Sequence, residues 1–261
     1  MSVSPLLTLE GVTKLFGGLT VIRDLTFSVS AGERVALIGP NGAGKSTVFN
    51  LISGVYPLDE GRITVDGCDI SQTPMRYRVH HGIARSFQNI RLMDNLLAIE
   101  NIMLGQHPTA STLLDLLTPY RLMRSNRWVE QARAALDGAG LLEYAERPVS
   151  SLPYGVRKRI DLLRAVAGHP KLLLLDEPAA GLNAVETEEL HEALVAVSTK
   201  GVTILVVEHD MHFVDRLCER VVVINFGEKI AEGTMEQVRR DEKVRQAYLG
   251  NTDEVEQPRA A

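Results

Sequence analysis

One stretch limits what the rest of this chain can fold into: VALIGPNGAGKSTVFNLIS, residues 35–53. A buried strand, Val35 to Gly39, runs into a glycine loop and then into a helix from about Gly44 to Ser53. The pattern G-x-x-x-x-G-K-[ST] carries meaning only between a strand and a helix, and that is where it stands. Gly42 and Gly44 let the backbone wrap closely, so that successive N–H groups point at phosphate oxygens at a helix N-terminus. Lys45 adds a point charge at the β and γ phosphates, and Ser46 offers its hydroxyl to Mg²⁺. Gly39, Asn41, Gly42, Ala43, Gly44, Lys45, Ser46 and Thr47 form the candidate nucleotide-contacting set.

The surrounding pattern is that of an α/β chain. LLLLDE (172–177) and TILVVEH (203–209) are continuous apolar runs alternating with helical segments, as expected of parallel strands covered on both faces. Asp176, at the carboxyl end of the first run, is placed to hold a Mg²⁺ water shell, and Glu177 is a candidate base for the attacking water. His209 leaves the end of the second run and is a candidate γ-phosphate contact. Asn183 is placed to cap a helix from about Ala184 to Ser198.

The first third reads differently. Leu25, Phe27 and Val29 interleave with polar residues at the period of a half-buried strand, and Arg62 to Ile70 reads as a hairpin through Asp66-Gly67. From about Leu92 to Ser151 the periodicity is helical, with LLDLL at 113–117 and WVEQARAALDGAGLL at 128–142, which predicts an inserted helical lobe containing Trp128. RVVVINFGEKIAEG (220–233) reads as a hairpin turning near Gly227, and 251–261 as a frayed tail.

With 45% hydrophobic and 23% charged residues, the composition is that of a globular protein, and the net charge of −5 argues against a nucleic-acid binder. No apolar run approaches the roughly 20 residues that cross a bilayer, and MSVSPLLTLE has no secretory pattern, so a cytoplasmic chain is expected. Cys68 and Cys218 lack metal or disulfide spacing, and His80, His81 and His107 lack metal spacing.

Six motifs in order, GPNGAGKST, SFQ (86–88), LPYG (152–155), LLLLDEP (172–178), AGLN (180–183) and EH (208–209), resemble those of an ABC-transporter nucleotide-binding subunit. The resemblance implies a P-loop NTPase: a RecA-like core over 1–91 and 159–250, with a mainly parallel sheet and an N-terminal antiparallel β subdomain. The inserted helical subdomain would span 92–158. It further implies that Gln88 touches Mg²⁺ or the lytic water, that Phe16 stacks on adenine, and that the helix start at Tyr154 and Gly155 reaches ATP held by an opposite subunit.

That last motif departs from the family's usual LSGGQ: Pro153, Tyr154 and Val156 replace Ser, Gly and Gln. Losing a hydroxyl donor to a charged acceptor costs about 1.5–3 kcal/mol if nothing replaces it, whereas a helix N-terminus contributes on the order of 0.3–1 kcal/mol. The backbone N–H groups of Gly155 and Val156 are therefore expected to serve the site, with Pro153 in the first helical turn. Arg157, Lys158 and Arg159 are read as surface charge, and Asn183 stands where many relatives carry Asp.

A single cassette carries half of each composite ATP site, so the resemblance implies a head-to-tail dimer with an identical or homologous subunit. It also implies integral-membrane permease subunits, docked near Gln88 and Ile90 to Gly105, a solute-binding protein indirectly, and a place on the cytoplasmic face of the membrane. KLFGGLTVIRDLTF, IARSFQNIRLMDNLLAIENI, PAAGLNAVE and VEHDM resemble ATP-binding subunits of branched-chain amino-acid importers. Relatives serving urea or lipopolysaccharide transport share this wording. A soluble ABC-type ATPase would show two cassettes or a long coiled coil, and a P-loop kinase leaves His209, Gln88 and LPYG unexplained.

Overall fold

The computed structural model describes residues 5–86, 90–106 and 127–249. Gln88, His107, the LLDLL run at 113–117 and the tail at 251–261 lie outside the described residues.

In chain order the elements are β1 (Pro5–Phe16), β2 (Leu19–Ser30), β3 (Arg34–Ile38), α1 (Lys45–Ile52), β4 (Glu60–Val65), β5 (Cys68–Asp69) and the short α2 (Met75–Arg78). Next come β6 (Ile83–Ser86), α3 (Ala98–Gly105), α4 (Arg127–Gly138), α5 (Tyr154–Val166) and β7 (Leu172–Asp176). The order closes with α6 (Ala184–Thr199), β8 (Thr203–Val207), α7 (Met211–Leu217), β9 (Arg220–Asn225), β10 (Glu228–Gly233), α8 (Met235–Arg240) and α9 (Glu242–Leu249). Two compact units are present, residues 1–75 with 203–261, and residues 76–202.

In the first unit, β1 pairs antiparallel with β2 and β4, and β4 with β5. Leu25, Phe27 and Val29 turn inward between exposed or half-buried neighbours, as the alternation predicts. Asp66 and Gly67 form the hairpin turn with φ of 51° and 74°, the left-handed pair that a two-residue turn needs. β3 lies between β8 and β9, parallel to both, and β10 returns antiparallel to β9. The four buried residues Val35–Ile38 explain why this strand lacks alternation: both of its faces are covered. Arg220 ties the two sheets of this unit together, donating to Glu33 on the β3 side and to the Ser28 carbonyl of β2 at 2.7 Å.

In the second unit β6 and β7 pair in parallel, Ile83 opposite Leu172 through Ser86 opposite Leu175. Its helical core gathers Ile99 and Ile102 of α3, Val129 and Leu136 of α4, and Ile160 of α5. Each such buried side chain contributes roughly 1.5–3 kcal/mol. Trp128 is buried in the same lobe, as expected, with the Gln106 amide donating to its carbonyl at 3.2 Å. Of the apolar run 90–105, Ile99 and Ile102 are core, while Met93 and Leu104 stay exposed.

Candidate nucleotide site

The phosphate loop begins where β3 leaves the sheet. A side chain at Gly39 would put its Cβ 2.1 Å from the Ile224 carbonyl oxygen of β9, so the loop threads a gap that only glycine passes. Gly42 has open space around it but a φ of 80°, so its requirement is conformational. Gly44 precedes α1 with no side-chain cap, and the first turn of α1 holds no carboxylate. Lys45 is 7% exposed, and its ammonium donates to the carbonyls of Gly39 at 2.7 Å and Pro40 at 2.9 Å. Ser46 beside it is exposed.

His209 follows β8, the direct parallel neighbour of β3, so it emerges at the same sheet edge as the loop. Its side chain is exposed, and its backbone N–H donates to Glu208 at 3.0 Å. Glu208, the first residue of the EH motif, is 4% exposed and directly follows five buried strand residues. Asp210 then caps α7 through the N–H groups of His212 and Phe213.

Phe16 ends β1. The register pairs Lys14 with Ile22, whose Cδ1 would lie 2.6 Å from a Cβ at Gly44, and Phe16 sits two residues further along, roughly 7 Å. Tyr56 meets its ring edge-on at 5.1 Å, and the Lys14 ammonium, paired with Asp59 at 3.0 Å, lies 5.2 Å from the ring centre. The ring stays 39% exposed, which leaves area for a flat partner.

In the second unit Asp176 ends β7, and one carboxylate oxygen accepts from Arg85 of β6 at 2.9 Å. Glu177 follows with φ of 48°, an uncommon conformation for a residue with a side chain. Ser86, the last described residue before Gln88, donates to Asp161 of α5 at 2.8 Å, and Arg164 donates to the other oxygen of Asp161 at 2.6 Å.

Pro153 is the N-cap of α5, one position earlier than expected, with an extended ψ of 152°. Tyr154 is half exposed, its hydroxyl 3.5 Å from the Ala180 carbonyl. Gly155 is buried, and a Cβ there would meet Glu186 Oε1 at 2.3 Å. Glu186 belongs to the capping box in which Asn183 accepts from Val185 and Glu186, so Gly155 is required inside its own subunit. Of the three cations, Arg157 pairs with Asp94 and Arg159 with Glu189 at the surface, while Lys158 is 6% exposed beneath the Tyr154 ring. Among the described residues no cluster of His, Cys, Asp or Glu has a metal-holding arrangement, and no helix is long and apolar enough to cross a membrane.

The ABC transporter family profile matches residues 22–180, and the chain belongs to that family as an ATP-binding cassette. A second profile, branched-chain amino acid ATP-binding cassette transporter, matches residues 228–254. The chain is 41% identical over 251 residues to the high-affinity branched-chain amino acid transport ATP-binding protein BraF of Pseudomonas aeruginosa, covering 94% of this chain and 98% of that one. It is 32% identical to the lipopolysaccharide export system ATP-binding protein LptB of Escherichia coli, over 94% and 97%. The solved ADP conformation of an ABC-transporter cassette superposes with a TM-score of 0.84 at 30% identity, covering 95% of this chain and 99% of that one.

Proposed function

We propose that this chain binds and hydrolyses ATP to energise import of branched-chain amino acids through a membrane permease. The observation that carries the ATP part is the glycine loop leading into α1, with Lys45 folded into the loop at the sheet edge where His209 follows the neighbouring strand. The solute part rests on the greater identity to the amino-acid relatives, 41% against 32% for the lipopolysaccharide one.

In this reading Gly39 to Thr47 hold the phosphates, His209 contacts the γ-phosphate, and Phe16 stacks on adenine. Mg²⁺ suits the donor set, since the Ser46 hydroxyl and Asp176 carboxylate are hard oxygens and this cation takes its other ligands from water and phosphate. When bound, it neutralises charge on the phosphoryl group in transfer. Arg85 occupies one oxygen of Asp176 and thereby fixes the direction of the other. Glu177 takes the proton of the attacking water, and Gln88 is assigned to the cation or that water. Tyr154 and Gly155 present a helix start to ATP on a second subunit, identical or homologous, head to tail. Permease subunits dock near Gln88 and the lobe at 92–158, with a solute-binding protein acting through them on the other side, and the chain works at the cytoplasmic face.

Leucine uptake by cells carrying the chain and its membrane partners is expected to stop with Glu177→Gln. Normal uptake with that variant present at normal level sinks the import reading. Phe16→Ala is expected to weaken ATP binding about 5- to 150-fold, the range for base stacking of about 1–3 kcal/mol. Fluorescent-nucleotide titration checks it, and an unchanged Kd removes Phe16 from the base contact.

A further inference from the structure

The strand end that carries Phe16 has less support from its sheet than the rest of β1. β4 pairs with β1 only as far as Thr13 opposite Glu60. On the other side the β1–β2 register shifts twice between Val12 and Leu15, and the strands close at Phe16 opposite Leu19. The two residues between them, Gly17 and Gly18, have φ of 53° and 87°, and a Cβ at either would find nothing within 4 Å, so the hairpin tip stands clear of the body behind it. A two-stranded ribbon alone is marginal in water. Something further must fix the direction of the Phe16 ring.

Asp59, the residue before β4, supplies it. Its backbone N–H donates to the Thr13 carbonyl at 3.3 Å, one carboxylate oxygen accepts from the Leu15 N–H at 2.7 Å, and the Lys14 ammonium lies 3.1 and 3.0 Å from the two oxygens. Where the β4 ladder stops, one residue takes over its bonds. The Leu15 N–H, and after it the Lys14 ammonium, hold the carboxyl below its usual range, so it is charged at neutral pH. Lys14, 5% exposed, is thereby kept with its ammonium 5.2 Å from the centre of the Phe16 ring. Tyr56 steadies the ring from α1: its N–H donates to the Asn50 carbonyl at 3.2 Å, and its own ring meets Phe16 at 5.1 Å and 77°. Because α1 starts at Lys45, the Phe16 ring and the phosphate loop are anchored to the two ends of one helix.

We propose that Asp59 is a positioning residue for the nucleotide base: by gathering Leu15 and Lys14 onto one carboxylate it aims the Phe16 ring. This rests on the stacking reading of Phe16. A ring that samples several directions presents the competent one for a fraction of the time, and the apparent Kd rises by the inverse of that fraction.

Calorimetry on the purified full chain, with magnesium–ADP and magnesium–pyrophosphate as probes, tests the idea in wild type, Asp59→Ala, Phe16→Ala and the double variant. Pyrophosphate carries the two phosphates and no base. In Asp59→Ala the ADP Kd is expected to rise about three- to tenfold, as when the competent ring direction falls to between about a third and a tenth of the population. Its pyrophosphate Kd should stay within about twofold of wild type. Adding Asp59→Ala to Phe16→Ala should change the ADP Kd by less than about twofold, because a residue that acts through the ring then has nothing to act on. Asp59→Asn keeps the size and an acceptor for Leu15 but not the ion pair; its ADP Kd should lie between the two, and it decides by the same comparison if Asp59→Ala does not fold. An unchanged ADP Kd, an equal loss for pyrophosphate, or a loss that persists without the ring overturns the proposal. If Phe16→Ala alone leaves the ADP Kd unchanged, the stacking reading fails instead, and if wild type binds neither probe, the nucleotide reading of the loop fails.

Discussion

Replacing Glu177 with glutamine is expected to cut ATP turnover by about 10²–10⁴-fold while ATP continues to bind. Glutamine keeps the size of the side chain but cannot accept the proton of an attacking water. The backbone gives a second reason to expect a large effect. With φ of 48°, Glu177 sits in a left-handed conformation that costs a non-glycine residue of order 1–3 kcal/mol. The turn is closed by the Ala180 N–H donating to its carbonyl at 3.2 Å, so the direction of the side chain is set by the turn. Single-turnover phosphate release beside equilibrium ATP binding measures both quantities. A fall in kcat below tenfold would remove Glu177 from the base role.

Lys45→Ala is expected to weaken ATP binding by about 10- to 150-fold, the equivalent of one hydrogen bond to a charged partner at about 1.5–3 kcal/mol. Lys45→Arg should rescue little, because the residue is 7% exposed, its ammonium bonds two loop carbonyls, and a planar guanidinium is a poor substitute for a point charge there. Titration with a fluorescent ATP analogue checks both variants. Wild-type affinity in Lys45→Ala would mean that the loop does not hold the phosphates.

What the sequence made legible was local in the chain. The strand, glycine loop and helix from Val35 to Ser53 announce themselves because the chemistry needs consecutive residues, and so do the Asp66-Gly67 turn and the Asn183 cap. Side-chain contacts between distant segments were not legible. Arg85 reaches Asp176 across 91 positions and Ser86 reaches Asp161 across 75, with no periodic signal joining them. The three cations after Gly155 read as a solvated face because three charges in a row ordinarily are one. Arg157 and Arg159 do pair at the surface, and only the burial of Lys158 against the Tyr154 ring needed three dimensions to see. Gly155 carries the same lesson. Gly155→Asp would drive a carboxylate into Glu186 of its own chain, so lost activity there could arise without any second subunit; Tyr154→Ala is the cleaner probe of a contact in trans.

The bond from Ser86 to the buried Asp161 works as a gear tooth. Asp161 is 2% exposed and paired with Arg164 as well as Ser86, so parting it from its two donors would cost several kcal/mol. A swing of α5 that kept this bond would have to carry the end of β6 with it.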